Sequence, residues 1–292
     1  MAITKIYAPY GLEAVTITEV WLANICVTAV FTSLGSFMLF LRLLTILIRH
    51  RPFGREDYAI YLAYLASIGY TVSSVISVRW GVGLRTEEVP PHWNVNAMKA
   101  TYAVEIFYYF SIFLVKMSIL FMYLGIGRGL GSGDRFCRLT RWTIYLIATH
   151  FLTTLIVTGV QCVPMSRYWS GAGEGGFCIN IPYFFYSTNI FTIISDVLIL
   201  GLPIPTLWEL QMPRKKKIGL IAIFGIGVID TVASGIRLLS VGRFKGVTGG
   251  DGLQSAAPIN TWSYIEIYLG ITCASIPGES MSPHLAPGTG AL

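Results

Sequence analysis

Eight side chains that could bind a ligand or carry a proton lie inside long apolar stretches of the sequence. Seven are charged and one is an amide: Arg42, Glu105, Lys116, Asn189, Asp196, Asp230, Arg237 and Glu266. A charge is costly in such surroundings, so each is expected to face an opposite charge, a ligand or water. Carboxylates there are also candidates for general acids. What these groups can do depends on how the apolar stretches position them.

The sequence has seven apolar stretches, five of which contain these residues, and each is long enough to cross a bilayer as a helix. They span 20–48, 58–78, 98–124, 142–162, 182–209, 218–241 and 261–277. About 20 helical residues cross the hydrocarbon, whereas the strands of a membrane barrel would be shorter and would alternate in polarity. The composition, 54% hydrophobic and 12% charged, agrees. The sequence therefore predicts an all-α membrane protein, a bundle of seven transmembrane helices, multi-pass in the plasma membrane or an endomembrane.

The Lys and Arg residues are distributed unevenly between the gaps that separate these stretches. The first, third and fifth gaps, around 49–55, 128–141 and 214–217, hold eleven of the 21. Because short loops rich in Lys and Arg stay cytoplasmic, the N-terminus is predicted to lie outside and the C-terminus in the cytoplasm. The net charge of +6 then indicates contact with the lipid bilayer, and no nucleic-acid partner is expected.

This orientation divides the chain into three parts. Residues 1–19 lack the basic start and apolar core of a signal peptide and are expected to form an uncleaved extracellular arm. Residues 20–279 form the helical domain, with 163–181 and 242–260 as external loops. Residues 280–292, rich in Pro and Gly, are expected to be a short disordered cytoplasmic tail.

Two of the five cysteines flank a predicted external loop. Cys162 closes the fourth apolar stretch and Cys178 lies in the loop that follows. Disulfides persist on the outside of the membrane, so these two are predicted to form a bridge. Cys26, Cys137 and Cys273 lie in helices or in a cytoplasmic loop and are expected to be free thiols.

The predicted topology also sets the depth of the charged residues. Glu105, Arg237 and Glu266 fall in the outer third of the third, sixth and seventh helices and could form one site. We expect Arg237 to pair with Glu105, Glu266 or both, because a buried guanidinium needs an acidic partner. The candidate ligand-binding residues are Glu105, Arg237, Glu266, Asp196 and Asn189, and the candidate intramembrane charge network is Lys116, Asp230 and Arg42. A structural ion-pair network and a site that contacts a ligand or ion both stay open.

A dispersed set of residues covers nearly the whole chain and points to a known family. The set is Glu56, Asp57, Gly81, Gly83, Glu105, Tyr108, Lys116, Ser118, Tyr123, Cys162, Pro164, Trp169, Cys178, Asn189, Asp196, Pro203, Pro205, Leu207, Trp208, Lys217, Arg237, Trp262, Glu266, Cys273 and Pro277. With it, the chain resembles the fungal rhodopsin-domain integral membrane family. The resemblance implies a seven-helix fold related to receptor-like proteins that sense surfaces and hosts.

The sequence departs from the pattern of this family in two places. Arg85 stands where the family usually carries a His, so a role for that His is not expected here. After Pro277 the family continues into a longer cytoplasmic tail, whereas this sequence ends at Leu292.

No cofactor or metal is expected, despite the word rhodopsin in the name of the family. Retinal needs a Lys in the last helix to form its Schiff base, and 261–277 contains none. Lys116, deep in the third helix, is not in that position. The four His residues show no metal-ligand spacing.

Three classes of function fit these observations. A receptor-like sensor without retinal, with a polar site in the outer half of the bundle, an unknown small-molecule or surface ligand and a possible cytoplasmic signalling partner, fits best. The alternative is a membrane-embedded enzyme or accessory protein of lipid or secondary-metabolite biosynthesis, although no catalytic motif supports an enzyme. A transporter ranks third, because no internal repeat or matched pair of broken helices is evident.

Overall fold

The structure is a computed structural model in which the described residues are 19–84, 89–129, 134–170, 175–204, 214–242 and 252–276. These residues contain eight α-helices, a 3₁₀ turn and two short strands. The elements are α1 Glu19–Ile48, α2 Arg55–Arg79, the 3₁₀ turn Pro91–Trp93, α3 Asn94–Gly129, α4 Asp134–Gly159, β1 Cys162–Val163, α5 Arg167–Ser170, β2 Phe177–Cys178, α6 Ile181–Gly201, α7 Arg214–Gly242 and α8 Gly252–Ser275. The predicted all-α architecture is confirmed.

Among the described residues, six helices are long and apolar enough to cross a membrane: α1, α2, α3, α4, α6 and α7. The helix α8 is as long but more polar, because it carries Asn260, Ser263 and Glu266 among its apolar residues. The chain is thus a multi-pass membrane protein. The count of seven spans and the orientation stay predictions.

The polarity of α8 is explained by its position inside the bundle. It packs against α1, α2, α3 and α7, while α3 packs against α2, α4 and α8. Tyr268, Ile267 and Ile271 of α8 are fully buried, and they meet Ile60 and Tyr70 of α2 in the largest core cluster. A helix surrounded by other helices can carry polar groups that lipid would exclude.

The outer faces of the peripheral helices are strongly apolar. Phe37 on α1, Leu65 on α2 and Trp142, Leu152 and Ile156 on α4 are among the exposed large side chains. A soluble protein rarely exposes apolar patches of this extent. On a membrane protein these faces contact lipid.

Several helix ends lie away from their predicted positions. The predicted cytoplasmic gap 128–141 is mostly helical, because α4 begins at Asp134. The basic cluster 214–217 is the start of α7, and α8 begins at Gly252, nine residues before the predicted start of its apolar stretch at 261. Within the fifth predicted stretch, α6 ends at Gly201, two residues before Pro203. Pro205, Arg85, residues 1–18 of the predicted arm and the predicted tail lie outside the described residues.

A disulfide hairpin covers one end of the bundle. The strands β1 and β2 pair antiparallel with Cys162 opposite Cys178, and the two form the predicted disulfide. This bond is confirmed. The one-turn helix α5 lies inside the hairpin and buries Tyr168. A hydrophobic cluster joins the hairpin to α3 and α8 through Trp93, Met98, Cys162, Tyr168 and Ala256. We call this the disulfide end of the bundle.

Candidate functional site

A cavity of about 70 Å³ lies near the disulfide end between α2, α3, α6, α7 and α8. Three of the predicted ligand-binding residues line it, namely Glu105, Asn189 and Arg237. Its other lining residues are mostly aromatic or small: Tyr70, Thr101, Val104, Tyr108, Tyr109, Phe185, Val241, Ala256, Ile259, Asn260 and Ser263. We call it the outer cavity, after its predicted side of the membrane.

Besides Arg237 Nε, which has an ion-pair contact but no hydrogen bond of good geometry, three buried polar atoms in the lining of this cavity have no hydrogen-bond partner. They are Glu105 Oε2, Asn189 Oδ1 and Asn260 Nδ2. The parent residues are only 8%, 5% and 8% exposed, respectively. The amide of Asn189 is oriented by its other end, because Nδ2 donates to the carbonyl of Phe185 at 2.6 Å. Buried polar groups in native proteins almost always have partners, so these atoms mark a place for water or a ligand.

The carboxyl group of Glu105 has neutral neighbours. The side chains of Gln161, Tyr109 and Thr158 are its hydrogen-bonding neighbours, and Thr158 Oγ1 donates to Oε1 at 3.4 Å. Among the described residues, no Lys, Arg or His nitrogen lies within the 4.0 Å of an ion pair with Glu105. Glu105 therefore lines the same cavity as Arg237 but does not form an ion pair with it.

Arg237 pairs with Glu266, one of its two expected partners. Its Nε lies 3.0 Å from Glu266 Oε2, and its guanidinium carbon lies 4.1 Å from the ring centre of Tyr108. The hydroxyl of Tyr108 donates to the same Oε2 at 3.0 Å. The guanidinium is thus held by an ion pair and by an aromatic face, both on buried residues.

A chain of polar contacts continues from Glu266 towards the opposite end. Ser234 Oγ lies 2.8 Å from Glu266 Oε1 and 3.4 Å from Asp196 Oδ2. Asp196 Oδ1 in turn lies 3.0 Å from Lys116 Nζ, which donates to Ser195 Oγ at 2.6 Å. We call Arg237, Glu266, Ser234, Asp196 and Lys116 the charged chain. It connects α7, α8, α6 and α3.

Asp230 lies beside this chain at a second, smaller cavity of about 40 Å³. Lys116, Asp196 and Glu266 also line this cavity, and Asp230 Oδ1 has no hydrogen-bond partner. With Arg237 included, three carboxyl groups face two cations. One of the carboxyl groups is therefore expected to hold a proton, since an excess buried charge is unfavourable. No group of His, Cys, Asp and Glu in the described residues could hold a metal ion.

Arg42 lies apart from Lys116 and Asp230, with which it was grouped from the sequence. Its Nε and Nη2 donate to Asp57 Oδ1 at 2.9 and 2.7 Å, and Nη1 donates to the carbonyl of Ala274 at 2.5 Å. Arg51 and the backbone N–H of Gly54 donate to Asp57 Oδ2. The short connection between α1 and α2 brings these groups together. The signal in the sequence was an acidic residue in the first turn of α2, 15 residues after an arginine inside the preceding apolar stretch.

Comparison with known proteins places these features in a family. The model of the fungal rhodopsin domain matches residues 41–282. A SAT4 family membrane protein of Emericella nidulans is 29% identical over 208 residues, which cover 71% of this chain and 52% of the relative. Receptor GIN3 of Arthrobotrys oligospora is 28% identical over 202 residues, 66% of this chain and 46% of the relative.

A third relative carries the name of a biosynthetic cluster. It is fugralins biosynthesis cluster protein 2 of Gibberella zeae, 25% identical over 195 residues, which cover 63% of this chain and 48% of the relative. The chain thus spans about half the length of these three relatives. No solved structure matches it.

Proposed function

Since the chain belongs to the fungal rhodopsin domain family of membrane proteins, we propose that it is a receptor-like sensor that binds a small molecule in the outer cavity. The observation that carries the proposal is the set of three buried polar atoms without partners, on Glu105, Asn189 and Asn260. A ligand with complementary groups would complete their hydrogen bonds. The relative named as a receptor supports the same class of function.

The charged chain gives such a ligand a route to the rest of the bundle. Arg237 lines the outer cavity and is also the first member of the chain. A ligand that moves this guanidinium changes the balance of charge at Glu266 and, through Ser234, at Asp196. The proposed sensor signals by shifting α7 and α8 relative to α3 and α6, which requires different ligand contacts in two arrangements of these helices.

The proposed sensor uses no retinal, because α8 contains no Lys for a Schiff base. Its ligand instead depends on the polar groups of the outer cavity. The charge distribution of the sequence predicts that the disulfide end and the cavity lie on the outer side of the membrane.

Ligand binding by the full chain in lipid nanodiscs tests the proposal. A library of small polar molecules is screened for a rise in thermal unfolding temperature, and each hit is repeated with Asn189→Ala, which removes a cavity amide. Asn180→Ala is the matched control, because Asn180 is an exposed N-cap of α6 outside the cavity lining. Hits are expected to stabilise the unmodified protein and the control and to lose most of their effect in Asn189→Ala.

A cellular readout accompanies the screen. Cells that express the protein are expected to change transcription when a hit is added outside, and cells with Asn189→Ala are expected not to respond. Hits that act equally on both variants, or a screen without hits, would contradict the proposal.

An accessory role in secondary-metabolite biosynthesis is the second candidate. It rests on the name of the fugralins cluster relative and on the buried carboxyl groups of Glu105, Asp196 and Glu266, which could act as general acids. Deleting the gene in the native host and profiling its metabolites separates the two functions. Loss of one product with intact responses to external molecules would favour biosynthesis.

A further inference from the structure

We infer that the ligand of the outer cavity is a small protonated amine that also carries a hydrogen-bond acceptor such as a hydroxyl group. This inference rests on the proposed function and names the chemistry of its ligand. Two observations support it. Polar atoms of Glu105, Asn189 and Asn260 in the cavity lining lack hydrogen-bond partners, and Arg237, the cation in the lining, is already paired with Glu266.

The charge of Glu105 is not compensated within the protein. Three other buried carboxylates have a basic partner: Asp57 has Arg42, Asp196 has Lys116 and Glu266 has Arg237. Asp230, at the second cavity, has no such ion pair among the described residues. The neighbours of Glu105 are neutral, and the residue is 8% exposed. An ionised carboxylate at this depth is unfavourable without a cation. A cationic ligand in the adjoining cavity would supply that charge.

Arg237 does not supply it, although it lines the same cavity. Its charge is already paired with Glu266 at 3.0 Å, and its guanidinium stacks on Tyr108. The outer cavity therefore contains one acidic side chain without a cation of its own, so a cationic ligand is favoured over an anion of the same size.

The unpaired acceptors match an ammonium group. Glu105 Oε2 and Asn189 Oδ1 both need donors, and an ammonium has up to three N–H donors and no acceptor. A hydroxyl group has one donor, and a carboxylate has none and would be repelled by Glu105. The aromatic faces in the lining, including Tyr109 and Phe185, also favour a cation.

The remaining atom defines the second group of the ligand. Asn260 Nδ2 is a donor without an acceptor, so the ligand is expected to place a hydroxyl or carbonyl oxygen there. The volume of about 70 Å³ limits its size, since one water needs roughly 10–15 Å³. A molecule of a few heavy atoms fits, and a larger one requires the helices to separate.

Three probes with a common two-carbon alcohol skeleton test this inference on the full chain in nanodiscs. Ethanolamine hydrochloride carries an ammonium group, ethylene glycol a second hydroxyl group and sodium glycolate a carboxylate. Each is titrated at constant ionic strength while thermal unfolding is followed. Ethanolamine is expected to give a saturable rise of about 3 °C in the unfolding temperature, and the other two are expected to give less than a third of that rise.

Two carboxamide variants locate the effect. Glu105→Gln removes the charge with little change of shape and is expected to abolish the rise. Glu56→Gln is the matched control, because Glu56 pairs with Arg51 next to Asp57 and lies outside the cavity lining; it is expected to keep the full rise. An unchanged response of Glu105→Gln to ethanolamine overturns the inference.

A second comparison does not depend on the folding of Glu105→Gln. Propylamine has the size of ethanolamine but lacks the oxygen, so the unmodified protein is expected to prefer ethanolamine by several-fold in half-saturating concentration. Asn260→Ala is expected to remove that preference while still binding the amine. A preference that persists in Asn260→Ala contradicts the placement of the acceptor.

The outcomes separate this inference from the proposed function. An equal or larger rise with ethylene glycol or glycolate, lost in Asn189→Ala, overturns the amine assignment and leaves the outer cavity as a ligand site. No rise with any probe up to high millimolar concentrations also overturns the assignment. The proposed function itself is judged by the library screen and by the cellular response.

Discussion

The fully buried carboxylate of Glu266 is contacted by side chains from two other helices. Tyr108 of α3 and Arg237 of α7 meet its Oε2, and Ser234 of α7 meets its Oε1. The residue is 1% exposed, so these three groups replace water completely. Removing one of them leaves a buried charge with an incomplete set of partners.

The pair of Arg237 and Glu266 is expected to be strongly coupled. Arg237→Gln and Glu266→Gln should each lower the free energy of unfolding by about 3–5 kcal/mol, because each leaves the other charge unpaired. The double variant should lose less than the sum of the two, by at least about 1 kcal/mol. Denaturation of the protein in detergent measures all four forms. Additive losses would show that the two side chains stabilise the fold independently.

Two neighbouring acids at the start of α2 offer a matched comparison. Asp57 is fully buried between Arg42, Arg51 and the N–H of Gly54, whereas Glu56 is partly exposed and lies 3.5 Å from Arg51. Asp57→Asn is expected to destabilise by about 3–5 kcal/mol and Glu56→Gln by about 0–1 kcal/mol. Fluorescence-detected thermal unfolding compares them. Equal losses of stability in the two variants would show that burial does not strengthen the contribution of the Asp57 ion pair.

Sequence reasoning found Glu105, Arg237 and Asn189 of the outer cavity and did not name Asn260 or Tyr108 as binding residues. Glu105 and Arg237 are conspicuous because charges are rare in apolar stretches. Asn260 lies one residue before the predicted seventh stretch, 261–277, and Tyr108 is an uncharged aromatic residue, so neither stands out as a charge in an apolar stretch does. The pairing of Arg42 with Asp57 was missed because depth was estimated from helix position, and Asp57 was assigned to a loop. Side-chain partners need three-dimensional contacts, which depth alone does not supply.

At the scale of helices, hydropathy located the elements better than their ends. The stretch 98–124 became α3 Asn94–Gly129, and 218–241 became α7 Arg214–Gly242. Helices extend beyond the apolar region where polar residues can face water or other helices. The extension is longest at α8, which begins nine residues before its predicted stretch and contacts four other helices.

The contact between α8 and α3 depends on a glycine. A Cβ on Gly270 would lie 2.8 Å from Cγ1 of Val115, a stiff β-branched side chain that cannot easily move aside. Gly270→Ala is therefore expected to destabilise by about 1–3 kcal/mol. Gly125→Ala in α3 is the control, because nothing lies within 4 Å of its Cβ position; helix propensity predicts a gain of up to about 1 kcal/mol. Thermal unfolding of both variants checks the sign of each change, and a loss for Gly125→Ala matching that for Gly270→Ala would contradict the steric argument.

At the scale of the whole molecule, the disulfide hairpin holds the cover of the bundle in place. The bridge closes a loop with a sequence separation of 16, for which chain entropy predicts about 3 kcal/mol. Cys162→Ser with Cys178→Ser, or treatment with reductant, is expected to lower the unfolding temperature by several degrees. Cys26→Ser should have little effect, because Cys26 is an exposed free thiol. If reductant lowers the unfolding temperature of the double variant as much as that of the unmodified protein, the bridge is not the cause.

The orientation of the molecule is tested with single cysteines. Gly175 in the hairpin and Arg138 in α4 are both exposed and lie at opposite ends of the bundle. In a background with Cys26, Cys137 and Cys273 changed to Ser, Gly175→Cys is expected to react with a membrane-impermeant maleimide on intact cells. Arg138→Cys should react only after permeabilisation. The reverse pattern would invert the predicted topology.

The charged chain also has a consequence for how the protein enters the membrane during synthesis. Lys116 of α3 is made before its partner Asp196 of α6, and Arg237 of α7 before Glu266 of α8. A single charge at mid-membrane disfavours insertion of an isolated helix by about 2.5–3.5 kcal/mol. The polar α8 is synthesised last among the described helices, and it needs α1, α2, α3 and α7 around it. The helices that contact α8 are therefore expected to remain bound to the insertion machinery until α8 has been synthesised, and then to enter the lipid together with it.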